Sequence, residues 1–206
     1  MKYLIVKNYP IEGPGVLKEI LRGEIKEIMA EDLHDEDFDA LIIMGGPMGV
    51  YEKDKFPFLQ KEIEIIRSSF EKGKRILGIC LGSQLLSASL GGEVIKGQFG
   101  SEIGIKKVKF IGDLSYLGDA NVFQWHGDTF SLPENAELLA YSEKYFQAFR
   151  LGKALGLQFH LEVNSSIVKD WLKEYGGDEN LITDVSKNEI KLRELLEKII
   201  NYWLKL

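Results

Sequence analysis

Short apolar segments separated by glycine-containing turns dominate the first part of the chain. Residues 40–44 and 75–79 form almost continuous apolar runs, and residues 2–9 and 25–29 are further strand candidates. Continuous runs of this kind are typical of strands that are buried on both faces of a parallel sheet. The pattern therefore predicts a sheet that begins with these four segments.

Helical spacing marks the segments between these strands. Four apolar residues recur every three or four positions, namely Leu59, Ile63, Ile66 and Phe70. They predict a helix over residues 58–70 that Gly73 ends, and residues 81–90 predict another helix. Strands that alternate with helices across glycine turns indicate an α/β fold with an open, mostly parallel sheet flanked by helices.

The second part of the chain has a different pattern, because strand-like segments follow one another with few helices between them. Strands are predicted at residues 103–110, 122–125, 138–141, 147–151 and 154–159. A helix capped by Asn164 or Ser165 is predicted to run through Tyr175, and a last amphipathic helix covers about residues 188–204. We see no linker or repeat, so a single domain over residues 1–206 is predicted.

Composition and charge narrow the class of protein. The chain has 206 residues, of which 45% are hydrophobic and 28% charged, as is usual for a globular protein. Its net charge of −6 argues against nucleic-acid or anionic-membrane partners, because both need a concentrated basic surface. No apolar run approaches the roughly 18 residues that span a bilayer, and residues 1–10 lack the apolar segment of a signal peptide. We therefore expect a cytoplasmic protein.

The only cysteine of the chain, Cys80, is the strongest candidate for chemistry. It stands between Gly78 and Gly82, after a predicted strand and before a predicted helix, which is the pattern of a nucleophile elbow. At such a turn the helix N-terminus favours the thiolate, and the N–H of Leu81 would face the site as an oxyanion donor. The alternative interpretation is a small buried cysteine at a tight turn.

A thiolate nucleophile needs a base, and the base needs a group that orients it. His160 follows an apolar strand and precedes Glu162 by two residues, and His126 stands in the same relation to Asp128. Spacing alone does not choose between these two pairs. The third histidine, His34, lies among acidic residues and is predicted to be solvated.

Two further residues are predicted to lie near Cys80. Gly46 belongs to a Gly-Gly-Pro turn after a buried strand, where ligand sites of open α/β sheets gather, and its N–H is a second candidate oxyanion donor. Gln84 follows Cys80 by one helical turn, so its amide is expected to face the same site. The loop at residues 8–15 does not match G-x-G-x-x-G and no P-loop is present, so we predict no cofactor, and a metal site is not predicted either.

Four motifs together resemble the class I, triad-type glutamine amidotransferases. In the order of that family they are Met-Gly-Gly-Pro-Met at 44–48, Leu-Gly-Ile-Cys-Leu-Gly-Ser-Gln at 77–84, Gln-Trp-His-Gly-Asp at 124–128 and Gly-Leu-Gln-Phe-His-Leu-Glu-Val at 156–163. The Gly-Gly-Pro-Met and His-Gly-Asp motifs look most like the amidotransferase domain of GMP synthase. The resemblance implies a flavodoxin-like, three-layer fold.

The resemblance also assigns roles to the candidate residues. It makes Cys80 the nucleophile, His160 the base and Glu162 its orienter, and it places Gly46 and Leu81 at the oxyanion positions. The family's substrate-binding positions match four residues of this chain: Gln84, His126, Gly127 and Asp128.

The implied reaction is hydrolysis of the glutamine side-chain amide to glutamate and ammonia, through a γ-glutamyl thioester on Cys80. Nothing in the chain resembles a synthetase domain, so we expect the ammonia to pass to a separate synthetase subunit, or the chain to act as a simple glutaminase. Hydrolysis of γ-glutamyl peptides by the same triad is an alternative. A non-catalytic subunit is another, because Leu161 replaces the proline that the family usually has between the histidine and the glutamate. Since proline fixes φ, we expect leucine to loosen this corner and to have a modest effect on the rate.

Overall fold

The fold was analysed in a computed structural model that describes residues 1–34 and 36–206. Its strands are β1 (Lys2–Lys7), β2 (Glu24–Met29), β3 (Ala40–Ile43), β4 (Arg75–Ile79), β5 (Val94–Lys96), β6 (Glu102–Phe110), β7 (Asp119–His126), β8 (Asp128–Phe130), β9 (Glu137–Tyr141), β10 (Phe146–Leu151) and β11 (Ala154–Leu157). Its helices are α1 (Leu17–Ile20), α2 (Phe58–Glu71), α3 (Leu81–Ser89), α4 (Ser165–Tyr175) and α5 (Asn180–Trp203).

A nine-stranded sheet runs through the described part of the chain, in the order β2-β1-β3-β4-β11-β10-β9-β6-β7. The strands from β2 to β11 in this order are parallel, and the others extend the sheet in antiparallel pairs. β5 and β8 form a separate antiparallel pair. Because β1, β3, β4 and β11 are parallel, the segments that follow them meet at one edge of the sheet.

Helices cover both faces of this sheet and bury two apolar cores. Alternate residues of the central strands point to opposite faces, so that Ile5 and Ile42 belong to one core while Leu4 and Leu41 belong to the other. The first core also contains residues of α4 and α5, and the second contains residues of α2 and α3. This arrangement confirms the predicted three-layer, flavodoxin-like α/β fold.

Several elements differ from the sequence-based prediction: β5 and β8 were not predicted, and β7 begins at Asp119 rather than at residue 122. Two further differences have a clear physical reason. α5 begins at Asn180 rather than near residue 188, because Leu181 and Val185 extend its buried stripe through a polar stretch that hid the periodicity. β11 ends at Leu157, and His160 beyond it is held instead by its N–H, which donates to the backbone O of Phe123 in β7 at 2.8 Å. The strand therefore ends two residues before the predicted end at residue 159.

Sequence analysis also predicted that the chain has no membrane-spanning segment and that it forms a single domain. Among the described residues, every helix is too short or too polar to cross a bilayer. The assignment of residues 1–206 to a single domain stays a prediction.

The C-terminal helix is expected to contribute strongly to stability through Trp203. Its side chain is fully buried, and its indole N–H donates to the backbone O of Ile76 at 3.0 Å. Trp203→Ala should therefore lower the free energy of unfolding by about 3–5 kcal/mol, measured by denaturant titration. The control is Tyr116→Ala, at an exposed aromatic residue, which should change it by less than about 0.5 kcal/mol. Equal effects of the two substitutions would contradict this account of α5.

Candidate active site

Cys80 occupies a strained turn between β4 and α3. Its φ of 52° and ψ of −111° are unusual for a residue with a side chain. A Cβ on Gly78 would collide with the backbone O of Gly82, and a Cβ on Gly82 would collide with the backbone O of Ile43. The N–H of Cys80 donates to the backbone O of Leu157 at 2.8 Å. The turn thus has the geometry of a nucleophile elbow, and glycine at both flanking positions is a steric requirement.

A cavity of about 420 Å³ opens beside Cys80 at the carboxyl ends of the parallel strands. Eight of the nine predicted site residues line it: Gly46, Cys80, Leu81, Gln84, His126, Gly127, Asp128 and His160. The ninth, Glu162, lies behind His160 and contacts it. The structure therefore brings all nine predicted site residues together, although they come from four separate segments of the chain.

His160 and Glu162 form a buried ion pair. Nδ1 of His160 lies 2.7 Å from Oε1 of Glu162, and each side chain is only 2% exposed. The ring of Trp171 packs edge-on against the imidazole, with 5.0 Å between the ring centroids. Burial disfavours the imidazolium, but the charges of Glu162 and Cys80 outweigh it and raise the pKa of His160 well above its usual range. The imidazole is therefore oriented through Nδ1 and electrostatically coupled to the thiol.

Leu161 contributes a hydrogen bond to this pair. Its backbone N–H donates to Oε2 of Glu162 at 3.0 Å, and its side chain is buried in the core. Proline at this position would have no N–H to donate. Leucine therefore leaves the contact between His160 and Glu162 in place and adds a donor to the carboxylate.

The rival histidine, His126, uses both ring nitrogens elsewhere. Nδ1 lies 2.9 Å from the backbone O of Asp128, and Nε2 lies 3.2 Å from Oε2 of Glu102. The partner of His126 is thus Glu102 rather than the carboxylate of Asp128 that spacing suggested. The geometry leaves His160 as the histidine with a ring nitrogen available for Cys80. His34 lies on the surface, where Nε2 is 2.9 Å from Oε1 of Glu36.

The two candidate oxyanion donors lie side by side. A Cβ on Gly46 would be 3.0 Å from Cδ2 of Leu81 and 2.8 Å from Cβ of Asn8, so this position has little room for a side chain. Leu81 is the first residue of α3, and the N–H of a first helical residue has no acceptor within its helix. Both backbone segments border the cavity next to Cys80.

A chain of amides links Cys80 to the other end of the cavity. Nε2 of Gln84 donates to Oε1 of Gln158 at 3.1 Å and contacts the backbone O of Asp128 at 3.3 Å. Nε2 of Gln158 in turn lies 3.8 Å from Sγ of Cys80. Sequence reasoning missed Gln158, because it stands among apolar residues of a predicted strand.

The site also contains Glu12 and Tyr175, which the sequence did not single out. Both line the cavity, and the hydroxyl of Tyr175 donates to Oε1 of Glu12 at 2.7 Å. The one available signal for Glu12 was its place in the loop after the first parallel strand, at the edge where ligand sites gather.

The geometry agrees with what comparisons with known proteins show. Residues 18–174 match the family described as glutamine amidotransferase class-I, and the chain belongs to that family. A crystal structure of a glutamine amidotransferase from Thermotoga maritima superposes with a TM-score of 0.93 and 33% identity, covering 100% of this chain and 99% of that one. The family resemblance and the fold predicted from sequence are thereby confirmed.

Two kinds of curated relative are similar in sequence. A GMP synthase (glutamine-hydrolyzing) from Pyrobaculum aerophilum is 32% identical over 92% of this chain, which spans 36% of that protein. Gamma-glutamyl peptidase 4 from Arabidopsis thaliana is 28% identical over 90% of this chain, which spans 79% of that protein. The chain thus covers about a third of the length of this GMP synthase and most of the length of the peptidase. The enzymes of this family act on glutamine or γ-glutamyl compounds.

The raised pKa of His160 predicts that stability depends on pH. A histidine with a raised pKa in the folded state stabilises the protein below its unfolded pKa of about 6.5, and this contribution is lost as pH rises through the folded value. The comparison is with a His160→Gln/Glu162→Gln double variant, which removes both charges. The difference in the free energy of unfolding between wild type and variant should shrink from pH 6 towards pH 10. A difference that stays constant over this range would contradict the assigned ion pair.

Proposed function

We propose that this protein hydrolyses the side-chain amide of glutamine through a γ-glutamyl thioester on Cys80. One observation supports the proposal most strongly. The thiol stands on a strained elbow at the wall of a cavity, with the buried His160–Glu162 pair next to it. A thiol, a coupled imidazole and a carboxylate that orients it are the groups that acyl transfer requires.

The reaction proceeds in two halves. The thiol proton of Cys80 passes to His160 as Sγ bonds to the amide carbon, and the N–H groups of Gly46 and Leu81 stabilise the oxyanion. The carbon–nitrogen bond then breaks as His160 gives its proton to the nitrogen, which leaves as ammonia. Water attacks the thioester and gives a proton to His160. The carbon–sulfur bond then breaks, His160 returns that proton to Sγ, and glutamate and free Cys80 result.

The charges around the cavity suit the head group of an amino acid. Apart from the two histidines, the charged residues that line the described cavity are acidic, namely Glu12, Glu52 and Asp128. Glu52 and Asp128, which lie apart from the reaction centre, favour the α-ammonium group of glutamine by direct attraction. Gln84 contacts the backbone O of Asp128, so it and the neighbouring segment of Gly127 offer amide and backbone groups to the rest of the head group.

The ammonia is proposed to pass to a separate synthetase subunit. The GMP synthase relative is glutamine-hydrolyzing and is much longer than the segment that this chain matches. In this proposal the acceptor chemistry belongs to another polypeptide, and this chain supplies the ammonia.

Hydrolysis of γ-glutamyl peptides is the second candidate function. It is favoured by the gamma-glutamyl peptidase relative, of which this chain spans 79%. The reaction at Cys80 is the same, but the leaving group is an amine with a substituent instead of ammonia. Relative turnover of the two substrate types decides between the candidates.

Ammonia release from glutamine tests the proposal directly. The wild-type chain should release ammonia from glutamine faster than it releases the amine from γ-glutamyl dipeptides. Cys80→Ala should lower the rate at least about a thousandfold, because no thioester can form. The control His34→Ala, at an exposed histidine, should keep the wild-type rate. A Cys80→Ala variant with wild-type turnover would refute the assignment, and preferential cleavage of dipeptides would establish the second candidate.

The hydrogen bond from Leu161 makes a further kinetic prediction. Leu161→Pro removes the N–H that donates to Glu162, so we expect turnover of glutamine to fall about tenfold, the equivalent of one net hydrogen bond to a charged group. Leu161→Met keeps the N–H and most of the side-chain volume, and should stay within about twofold of wild type. A proline variant faster than wild type would show instead that leucine loosens the pair.

A further inference from the structure

The carboxyl group of Glu12 lies against the reaction centre. Its Oε1 accepts the hydrogen bond from Tyr175, whereas its Oε2 faces Gly45. A Cβ placed on Gly45 would collide with this Oε2, and would lie 3.4 Å from Cε1 of His160 and 3.6 Å from Cβ of Cys80. One carboxyl oxygen, the imidazole and the nucleophilic residue therefore surround the same point beside Gly45.

The loop that carries Glu12 is attached to the catalytic segment. The N–H of Val16 donates to the backbone O of Glu162 at 2.9 Å, and Gly15 packs so closely against that same oxygen that a Cβ would collide with it. The indole N–H of Trp171 donates to the backbone O of Ile11 at 3.1 Å. Glu12 is thus held in a fixed position relative to the His160–Glu162 pair.

The electrostatic surroundings of Glu12 are those of a group inside the active site. Burial and the charge of Glu162 raise its pKa, whereas His160 and the hydroxyl of Tyr175 act in the opposite direction, and burial prevails. Glu12 is 7% exposed and borders the cavity, and no hydrogen bond to Oε2 is found among the described residues. This oxygen is accessible from the cavity, where a substrate atom can provide a hydrogen-bond partner.

We propose that Glu12 is a fourth catalytic residue, whose Oε2 binds the leaving nitrogen and then the hydrolytic water. The proposal rests on the proposed amide hydrolysis at Cys80. It extends that mechanism, because neither the elbow nor the His160–Glu162 pair provides an acceptor for the remaining hydrogens of the departing group.

The chemistry needs no additional reactant. When the carbon–nitrogen bond breaks, His160 supplies the proton, and Oε2 of Glu12 accepts a hydrogen bond from one of the N–H groups that the nitrogen already carries. After ammonia leaves, the attacking water gives one proton to His160 and directs its other hydrogen to Oε2. Glu12 therefore neither gains nor loses a proton over the cycle and acts by positioning both nitrogen and water.

The experiment compares Glu12→Gln and Glu12→Ala with wild type, and uses Glu174→Gln as the matched control. Glu174 is an exposed glutamate whose partner is Tyr9 rather than Tyr175, and it does not line the cavity. We expect kcat for glutamine to fall about tenfold in Glu12→Gln and about a hundredfold in Glu12→Ala, with KM within about threefold of wild type. Glu174→Gln should retain wild-type kcat and KM. Tyr175→Phe, which releases Oε1 but keeps Oε2, should show a smaller loss of kcat than Glu12→Ala.

A second readout separates a catalytic from a structural effect. Quenched reactions analysed by intact-protein mass spectrometry should contain more γ-glutamyl adduct in Glu12→Gln than in wild type, because hydrolysis of the thioester loses its positioned water. Thermal unfolding midpoints identify any variant that fails to fold, and the isosteric Glu12→Gln keeps the test valid in that case.

Either of two results would overturn the proposal, and they are distinguishable from each other. If wild type hydrolyses glutamine and Glu12→Gln has the same kcat and adduct level, or raises KM alone, Glu12 has no catalytic role while the proposed function stands. If wild type itself releases no ammonia from glutamine, the proposed function fails, and the role of Glu12 fails with it.

Discussion

The backbone turn at Cys80 is the constraint on which the rest of the site depends. Its positive φ is tolerated because Gly78 and Gly82 let three backbone segments approach more closely than any side chain allows. The backbone of Ile43 lies against Gly82, and that of Leu157 accepts the N–H of Cys80. The elbow therefore fixes the distances between β3, β4 and β11. It thereby fixes the positions of Gly46, which follows β3, and of the segment after β11 that carries His160.

The reactivity of the site depends on charged groups that are buried beside the elbow. His160 and Glu162 are paired out of contact with bulk water, where an ion pair interacts more strongly than on the surface and an unpaired partner would be costly. The carboxylate is held further by the N–H of Leu161, and Trp171 covers the imidazole. Glu12 brings a second buried carboxyl group to the same cavity. The imidazole and the two carboxyl groups thus share one low-dielectric site whose remaining opening is the substrate cavity.

Much of the fold and the position of Cys80 could be predicted from local patterns, because apolar periodicity marks buried strands and a glycine-flanked cysteine marks an elbow. The choice of His160 over His126 rested on the family resemblance, because spacing alone left both open. The pairing of His126 could not be predicted, because its partner, Glu102, comes from a neighbouring strand and spacing pointed to Asp128. Glu12 resembled an ordinary loop residue, since its burial depends on α4 folding over it. Contacts between segments distant in sequence decided each of these cases, and single-chain spacing carries no information about them.

The central claim is that Cys80 forms a covalent γ-glutamyl intermediate, and the most direct measurement is the mass of the protein after reaction with a glutamine-analogue chloroketone. Wild type should gain one adduct, located on Cys80 by peptide mapping, and an excess of glutamine should prevent it. Labelling that glutamine does not prevent, or a wild-type protein that remains unlabelled, would contradict the account.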